Sequence, residues 1–397
     1  MIKKRIYLDN SATTPISKDV VKEMQKYFSE SYGNASSLHY FGRQAKQAVE
    51  SSRAKIAKLI NAEIDEIIFT SCGTESNNLA ILGVAKAYGD YGHIITSPIE
   101  HYSVLSPCNY LKNRNYQITY IDVNQSGIVS PTDLINSLQE NTILISIMHA
   151  NNEIGVIQPI EDIASKLYKI NQTRKQKVYL HTDAIQTAGK LNINVKNLGI
   201  DLLSISAHKL HGPKGIGALY VKRGIKIFPI LFGGHHEKNL RPGTENVLGI
   251  VGLSKSYEIA YNSLKDHYSH VLNLKRRLEE GILNDISDVT INTDKTNSLP
   301  HILNVSFKYI EGESLLLMLD MYGIAVSTGS ACTSDSLNPS HVLTSIGLNT
   351  IAARGSIRFS LSYQNTLKEI DYVLSVLPKI VNDLRLMSPM WKKHTVY

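Results

Sequence analysis

The sequence predicts an α/β protein: a mainly parallel seven-stranded sheet with helices on both faces, joined to a smaller α+β domain. Three observations carry that reading. Between residues 66 and 221, short apolar runs alternate with segments of helical periodicity. Several of the runs are apolar throughout, as strands covered on both faces should be. Near Gly249 the alternation stops, and a long helical stretch leads to a second, separate group of strands.

Taken in order, residues 5–15 read as a short strand and turn. After the loop Gly33 to Ser37, the residues Phe41, Ala45, Ala48, Val49, Ile56, Leu59 and Ile60 fall on one face of a long helix. Strands follow at 66–71, 93–97, 117–123, 142–149, 178–182, 201–206 and 217–221, with helical sequence between most of them, including 74–88. Residues 250–282 read as one long helix. Beyond it lie strands at 302–307, 323–327 and 356–361 and a helix over 370–386. The expected division is a large domain at 15–255 and a small one made of 1–14 and 256–397.

Composition narrows the function. Of 397 residues, 43% are hydrophobic and 19% charged, which describes an ordinary globular chain and not a disordered one. The formal charge of +7 comes from short scattered groups such as Lys3-Lys4-Arg5 and Lys275-Arg276-Arg277. With no basic run interleaved with aromatics, no direct nucleic-acid binding is expected. Cys72, Cys108 and Cys332 lie far apart and form no disulfide framework, which fits a reducing compartment. Strand-like sequence begins by Ile6 and no apolar run approaches a membrane span, so a cytoplasmic location is expected.

In an open α/β sheet, ligands bind beyond the carboxyl ends of the strands. Several strands here end in polar residues. Gly73 and Thr74 open a helix in a small-residue loop suited to a phosphate. Glu100 and His101, then Asn151, Asn152 and Glu153, then Asp183 and Gln186, then Ser206, His208 and Lys209 follow the next strands. Any one of these alone has a dull explanation, as an N-cap, a turn or a surface side chain. Together they supply a phosphate cup, an amine for an aldehyde and a carboxylate for a protonated ring nitrogen, which are the needs of pyridoxal 5'-phosphate. A flat side chain such as His101 suits stacking on such a ring and moving protons. The pairs His181 and Asp183, His208 and His211, and His235 and His236 lack zinc-motif spacing, so no metal is expected.

At this point the sequence resembles a known family. Tyr7-Leu-Asp-Asn-Ser-Ala-Thr-Thr-Pro15, Thr70-Ser-Cys-Gly-Thr-Glu-Ser-Asn-Asn78, Glu100-His101 and His149-Ala-Asn-Asn-Glu-Ile-Gly155 match it in order. So do His181-Thr-Asp-Ala-Ile-Gln186, Ser206-Ala-His-Lys209, Arg241-Pro-Gly-Thr-Glu-Asn246 and Ser327-Thr-Gly-Ser-Ala-Cys332. These look like the cysteine desulfurases of the NifS/IscS class, fold type I transferases that use pyridoxal 5'-phosphate.

The resemblance implies roles position by position. Lys209 would hold the cofactor through its amine, Asp183 would pair with the ring nitrogen, and Gln186 would bond the ring oxygen. Asn152 would sit between that oxygen and the substrate, and His101 would stack and act as acid and base. Gly73, Thr74, Ser206 and His208 would bind the phosphate, with Thr244 reaching in from the second subunit of a homodimer. Arg358 would clamp the carboxylate of L-cysteine through its two-donor fork.

Cys332 would be the nucleophile that takes the sulfur as a persulfide. Its surroundings from Ser327 to Pro339 are rich in Gly, Ser, Thr and Asn and predict a mobile loop. The loop's length resembles the NifS/IscS class and not the selenocysteine lyases, which, with aminotransferases, are the nearest alternatives. Sulfur acceptors implied by the resemblance are an iron–sulfur scaffold, onto whose cluster Cys332 could transiently ligate, or a tRNA thiolase; DNA phosphorothioation draws on similar enzymes. Ser388 to Trp391 resembles a scaffold-binding tail.

Overall fold

The computed structural model describes residues 5–328 and 339–391. Its central sheet has seven strands in the order Ile67–Thr70, Gly217–Val221, Leu202–Ser206, Tyr179–Asp183, Thr142–Ser146, Gly92–Thr96, Tyr116–Tyr120. Only Gly217–Val221 runs antiparallel to its neighbours, Ile67–Thr70 and Leu202–Ser206. The remaining pairings are parallel.

Side chains along a strand alternate between faces, and the apolar runs use both. Ile67, Phe69, Ile95, Ile145, Leu180, Leu203 and Ile205 join one core with helices Tyr40–Leu59, Ile160–Asn171 and Val247–Asn262. Ile68, Ile94, Leu144, Tyr179, Leu202 and Leu219 join the other with helices Gly73–Tyr88 and Tyr102–Lys112. Burial on both faces explains why these strands lack polar alternation.

A second sheet is antiparallel, in the order Ser327–Thr328, Ser356–Ser360, Ile302–Phe307, Val289–Ile291. It shares a core with helices Leu264–Asp285, Gly312–Met321 and Leu367–Met387. The N-terminal strand Ile6–Tyr7 pairs in parallel with Ile324–Ala325, and Ile6 and Leu8 are buried in this second core.

The structure corrects three details. The single helix expected over 250–282 is two, Val247–Asn262 and Leu264–Asp285. Ser263 separates them with ψ near 13°, where Asn and Ser compete with helical hydrogen bonding. The strand expected at 323–327 is two short pieces, Ile324–Ala325 and Ser327–Thr328, which pair with different partners. Strand Val289–Ile291 was not expected; it is three residues long and only half-buried, too short for a periodic signal.

Candidate active site

The site lies where the strands of the large sheet end. Lys209 closes the short turn Ala207–Lys209 directly after strand Leu202–Ser206. Its Nζ donates to the backbone carbonyls of Ser11 at 2.5 Å and Ala12 at 2.6 Å. The same N-terminal segment is bonded to the turn through Thr14 N to His208 O at 2.9 Å, and Thr13 Oγ1 lies 3.2 Å from His208 Nδ1. Burial, with Lys209, Lys214 and Lys190 adding, brings His208 down to about 4.

Asp183 ends strand Tyr179–Asp183 and is buried. Its Oδ1 accepts from the Ile185 amide at 2.9 Å and its Oδ2 from Asn77 Nδ2 at 2.7 Å. Burial pushes its carboxyl up, while those two donors, His101 and Lys209 pull it down. A cation beside it is what this carboxylate needs in order to stay ionised.

His101 caps helix Tyr102–Lys112. Its Nδ1 accepts from the Ser103 backbone N–H at 3.0 Å and lies 2.7 Å from Ser103 Oγ. The backbone donor fixes the tautomer: Nδ1 is the acceptor, so in the neutral ring Nε2 carries the proton. Asn77 Nδ2 also donates to Ser103 Oγ, at 2.8 Å. A continuous set of bonds thus joins His101 to Asp183 through Ser103 and Asn77, neither of which the sequence had singled out. Burial lowers the His101 pKa and Asp183 opposes the shift.

Gln186 Nε2 donates to Ser11 O at 3.1 Å, whereas its buried Oε1 has no partner. Ser206 Oγ is likewise buried and unpartnered. Gly73 opens helix Gly73–Tyr88 so close to Ile185 that a Cβ would meet Ile185 Cδ1 at 2.2 Å. Thr74 follows it in the first turn of that helix.

Arg358 is 4% exposed, from strand Ser356–Ser360. Nη2 pairs with Asp9 Oδ1 at 2.8 Å, Nη1 donates to Asn152 O at 3.0 Å, and Nε is buried without a partner. Asp9 is a further residue that the sequence had not marked. Asn151 is structural: its Oδ1 accepts from the amides of Glu153 and Ile154.

Cys332 lies outside the described residues. The chain on either side of it does not. Ser327 pairs with Arg358 in the second sheet. On the other side, Ser340 Oγ donates to Glu153 Oε2 at 2.6 Å, and His341 Nε2 bonds Glu100 O at 2.9 Å with its ring 4.9 Å from that of Tyr102. Thr244 is exposed. His181 is engaged inside the sheet by Ser146 and Ser204. Among the described residues no group of three His, Cys, Asp or Glu side chains converges as for a metal ion. Trp391 packs on Tyr309, ring centroids 5.3 Å apart. No helix among the described residues is long and apolar enough to cross a membrane.

The aminotransferase class-V family matches residues 6–373. A cysteine desulfurase IscS of Dictyoglomus turgidum is 50% identical over 395 residues, covering 98% of this chain and 99% of its own. A solved NifS-like protein superposes with a TM-score of 0.90 at 40% identity, over 96% of this chain and 100% of that one. A structure described as SspA in complex with cysteine does so with a TM-score of 0.80 at 36% identity, over 91% and 100%.

Fold and strand-end site together define a fold type I enzyme dependent on pyridoxal 5'-phosphate, and the chain belongs to the aminotransferase class-V family. Within that family its branch is the NifS/IscS class of cysteine desulfurases. The residues present fit the cofactor. Ser206 Oγ and Gln186 Oε1 are buried polar atoms awaiting partners, burial raises the Asp183 carboxyl so that a cation beside it is favoured, and Gly73 opens a helix N-terminus.

Proposed function

We propose that the enzyme takes the sulfur of free L-cysteine onto Cys332, releasing L-alanine, and that the residues named above divide the work. Supporting this is the convergence of Lys209, Asp183 and His101 from the ends of separate strands: hydrogen bonds through Ser103 and Asn77 join His101 to Asp183, and the Lys209 charge acts on both. When bound, pyridoxal 5'-phosphate supplies an electron sink for the pair left at the substrate α-carbon.

This chain's own groups do the rest. Lys209 anchors the cofactor, and Asp183 holds the ring nitrogen protonated. Gly73, Thr74, Ser206 and His208 hold the phosphate, joined by Thr244 of the partner subunit in a homodimer. Gln186 and Asn152 orient the ring oxygen. Arg358 receives the substrate carboxylate, for which its fork is already aimed by Asp9 and the Asn152 carbonyl. Lys209 or His101 moves the α-proton. The Cys332 thiolate then attacks the substrate sulfur: a new S–S bond forms, the C–S bond breaks, and the carbon takes a proton to become alanine.

The described flanks of residues 329–338, at Arg358 on one side and at Glu153 and Glu100 on the other, favour Cys332 as that nucleophile. A cytoplasmic setting, a scaffold protein or a tRNA thiolase as sulfur acceptor, and a division into units 15–255 and 1–14 with 256–397 belong to the same reading. The test is Cys332→Ala: it should keep the cofactor's visible absorbance and lose alanine and sulfide formation from cysteine. Persulfide formation at the normal rate in that variant would refute the assignment.

A further inference from the structure

A cavity of about 60 Å³ lies beside Lys209 and shares that residue and Thr14 with the candidate active site. Leu210, Ile259, Leu264, Val271 and Leu361 give it a largely apolar wall. Two side chains stand out in it. Lys190 Nζ is buried and has no hydrogen-bond partner. His301, 3% exposed, has neither ring nitrogen bonded.

Lys190 is held there by its neighbour. Gly189 has φ of +69°, and a Cβ on it would meet Ala260 Cβ at 2.7 Å and Leu210 Cδ2 at 2.8 Å, so the turn can press directly against the helix Val247–Asn262. No Asp or Glu among the described residues lines the cavity. The charges that act on the two side chains are all cations: Lys209 on Lys190, and Lys190, Lys275 and Arg358 on His301. Burial and that field bring the Lys190 amine down to about 7 and His301 well below its usual range. An interior that collects positive charge and donors, with no carboxylate to answer them, either gives up protons or takes in something negative.

We propose that this cavity binds a small monovalent anion of the halide class, held between the Lys190 ammonium and the His301 ring. The space admits a few water-sized groups, enough for a halide and its companions. A dianion would need a second cation of its own, and the other lysine on the wall, Lys209, donates to the Ser11 and Ala12 carbonyls. Water can satisfy the hydrogen bonds but not the charge. Lys209 lines the same cavity, so occupancy also shifts the charge balance at that amine; this consequence alone rests on the proposed role of Lys209.

The experiment uses the holoenzyme. Chloride-35 NMR line broadening should exceed that of free chloride, be displaced by bromide, and fall at least tenfold in Lys190→Met with the cofactor absorbance retained. Bromide-soaked crystals should give an anomalous peak between Lys190 and His301. Should Lys190→Met not fold, His301→Gln carries the same test and should weaken the broadening. Wild-type broadening in the variant, or bromide density in the crystal without broadening in solution, would overturn the proposal.

Discussion

Glu153 offers the sharpest test of the electrostatics around the site. It is fully enclosed, accepts from Ser340 Oγ at 2.6 Å and feels Arg358. Burial outweighs both and raises its carboxyl from 4.5 to about 7. A raised folded-state value means that the native protein binds the proton more tightly than the unfolded chain. Stability from this group is therefore complete below pH 4.5 and is lost as pH rises through 7. At about 1.4 kcal/mol per pH unit, the loss above pH 7 is about 3 kcal/mol. Glu153→Gln keeps the volume and an acceptor for Ser340 but cannot ionise. Relative to the wild type it should be nearly neutral at pH 4.5 and more stable by about 3 kcal/mol at pH 8. Urea denaturation of both holoproteins across that range measures the difference, with the cofactor absorbance followed in parallel. A difference that stays flat with pH would refute the reasoning.

Two other perturbations follow from the geometry. Ser103→Ala removes the hydroxyl that bridges His101 and Asn77, leaving a buried Asn77 N–H without its acceptor, at about 1–3 kcal/mol of stability. The lost donor had favoured neutral His101, so the acid limb of kcat/KM should move to higher pH, with Ser103→Thr restoring it; an unmoved profile would dismiss the bridge as mere packing. Glu237→Ala takes from the buried Arg53 guanidinium its carboxylate at 2.6 Å, leaving it the Ile67 carbonyl and the longer 3.4 Å pair with Glu50, and frees three successive left-handed residues, Glu237, Lys238 and Asn239. A loss of about 1.5–3 kcal/mol in chemical denaturation is expected, and less than 1 kcal/mol would show the pair to be dispensable.

The large sheet was legible because its strands are apolar on both faces and end in polar residues, so Lys209, Asp183 and His101 could be placed from pattern alone. Ser103 and Asn77 were not, because each sits inside a helix start that already explained itself. Asn77 did leave a signal: a fully buried amide in a helix otherwise filled by Leu79, Ala80 and Ile81 needs a polar partner. The carbonyls of Ser11 and Ala12 left none, since backbone acceptors have no sequence signature. The break at Ser263 was hidden for a related reason. No Gly or Pro marks it, and the apolar periodicity runs on across the join.

The placement of residues 6–14 has a consequence for how the enzyme is made. Leu8 and Asn10 are fastened to Ala325 and Ser360, the latter 350 residues from Asn10, and the same segment supplies the carbonyls that receive the Lys209 amine. A ribosome finishes the lysine long before it finishes the strands that tie down this cradle. A translation product interrupted before residue 323 holds the lysine without the means to fix its surroundings. The surroundings of the lysine are thus completed only when the strands of the second sheet have been made.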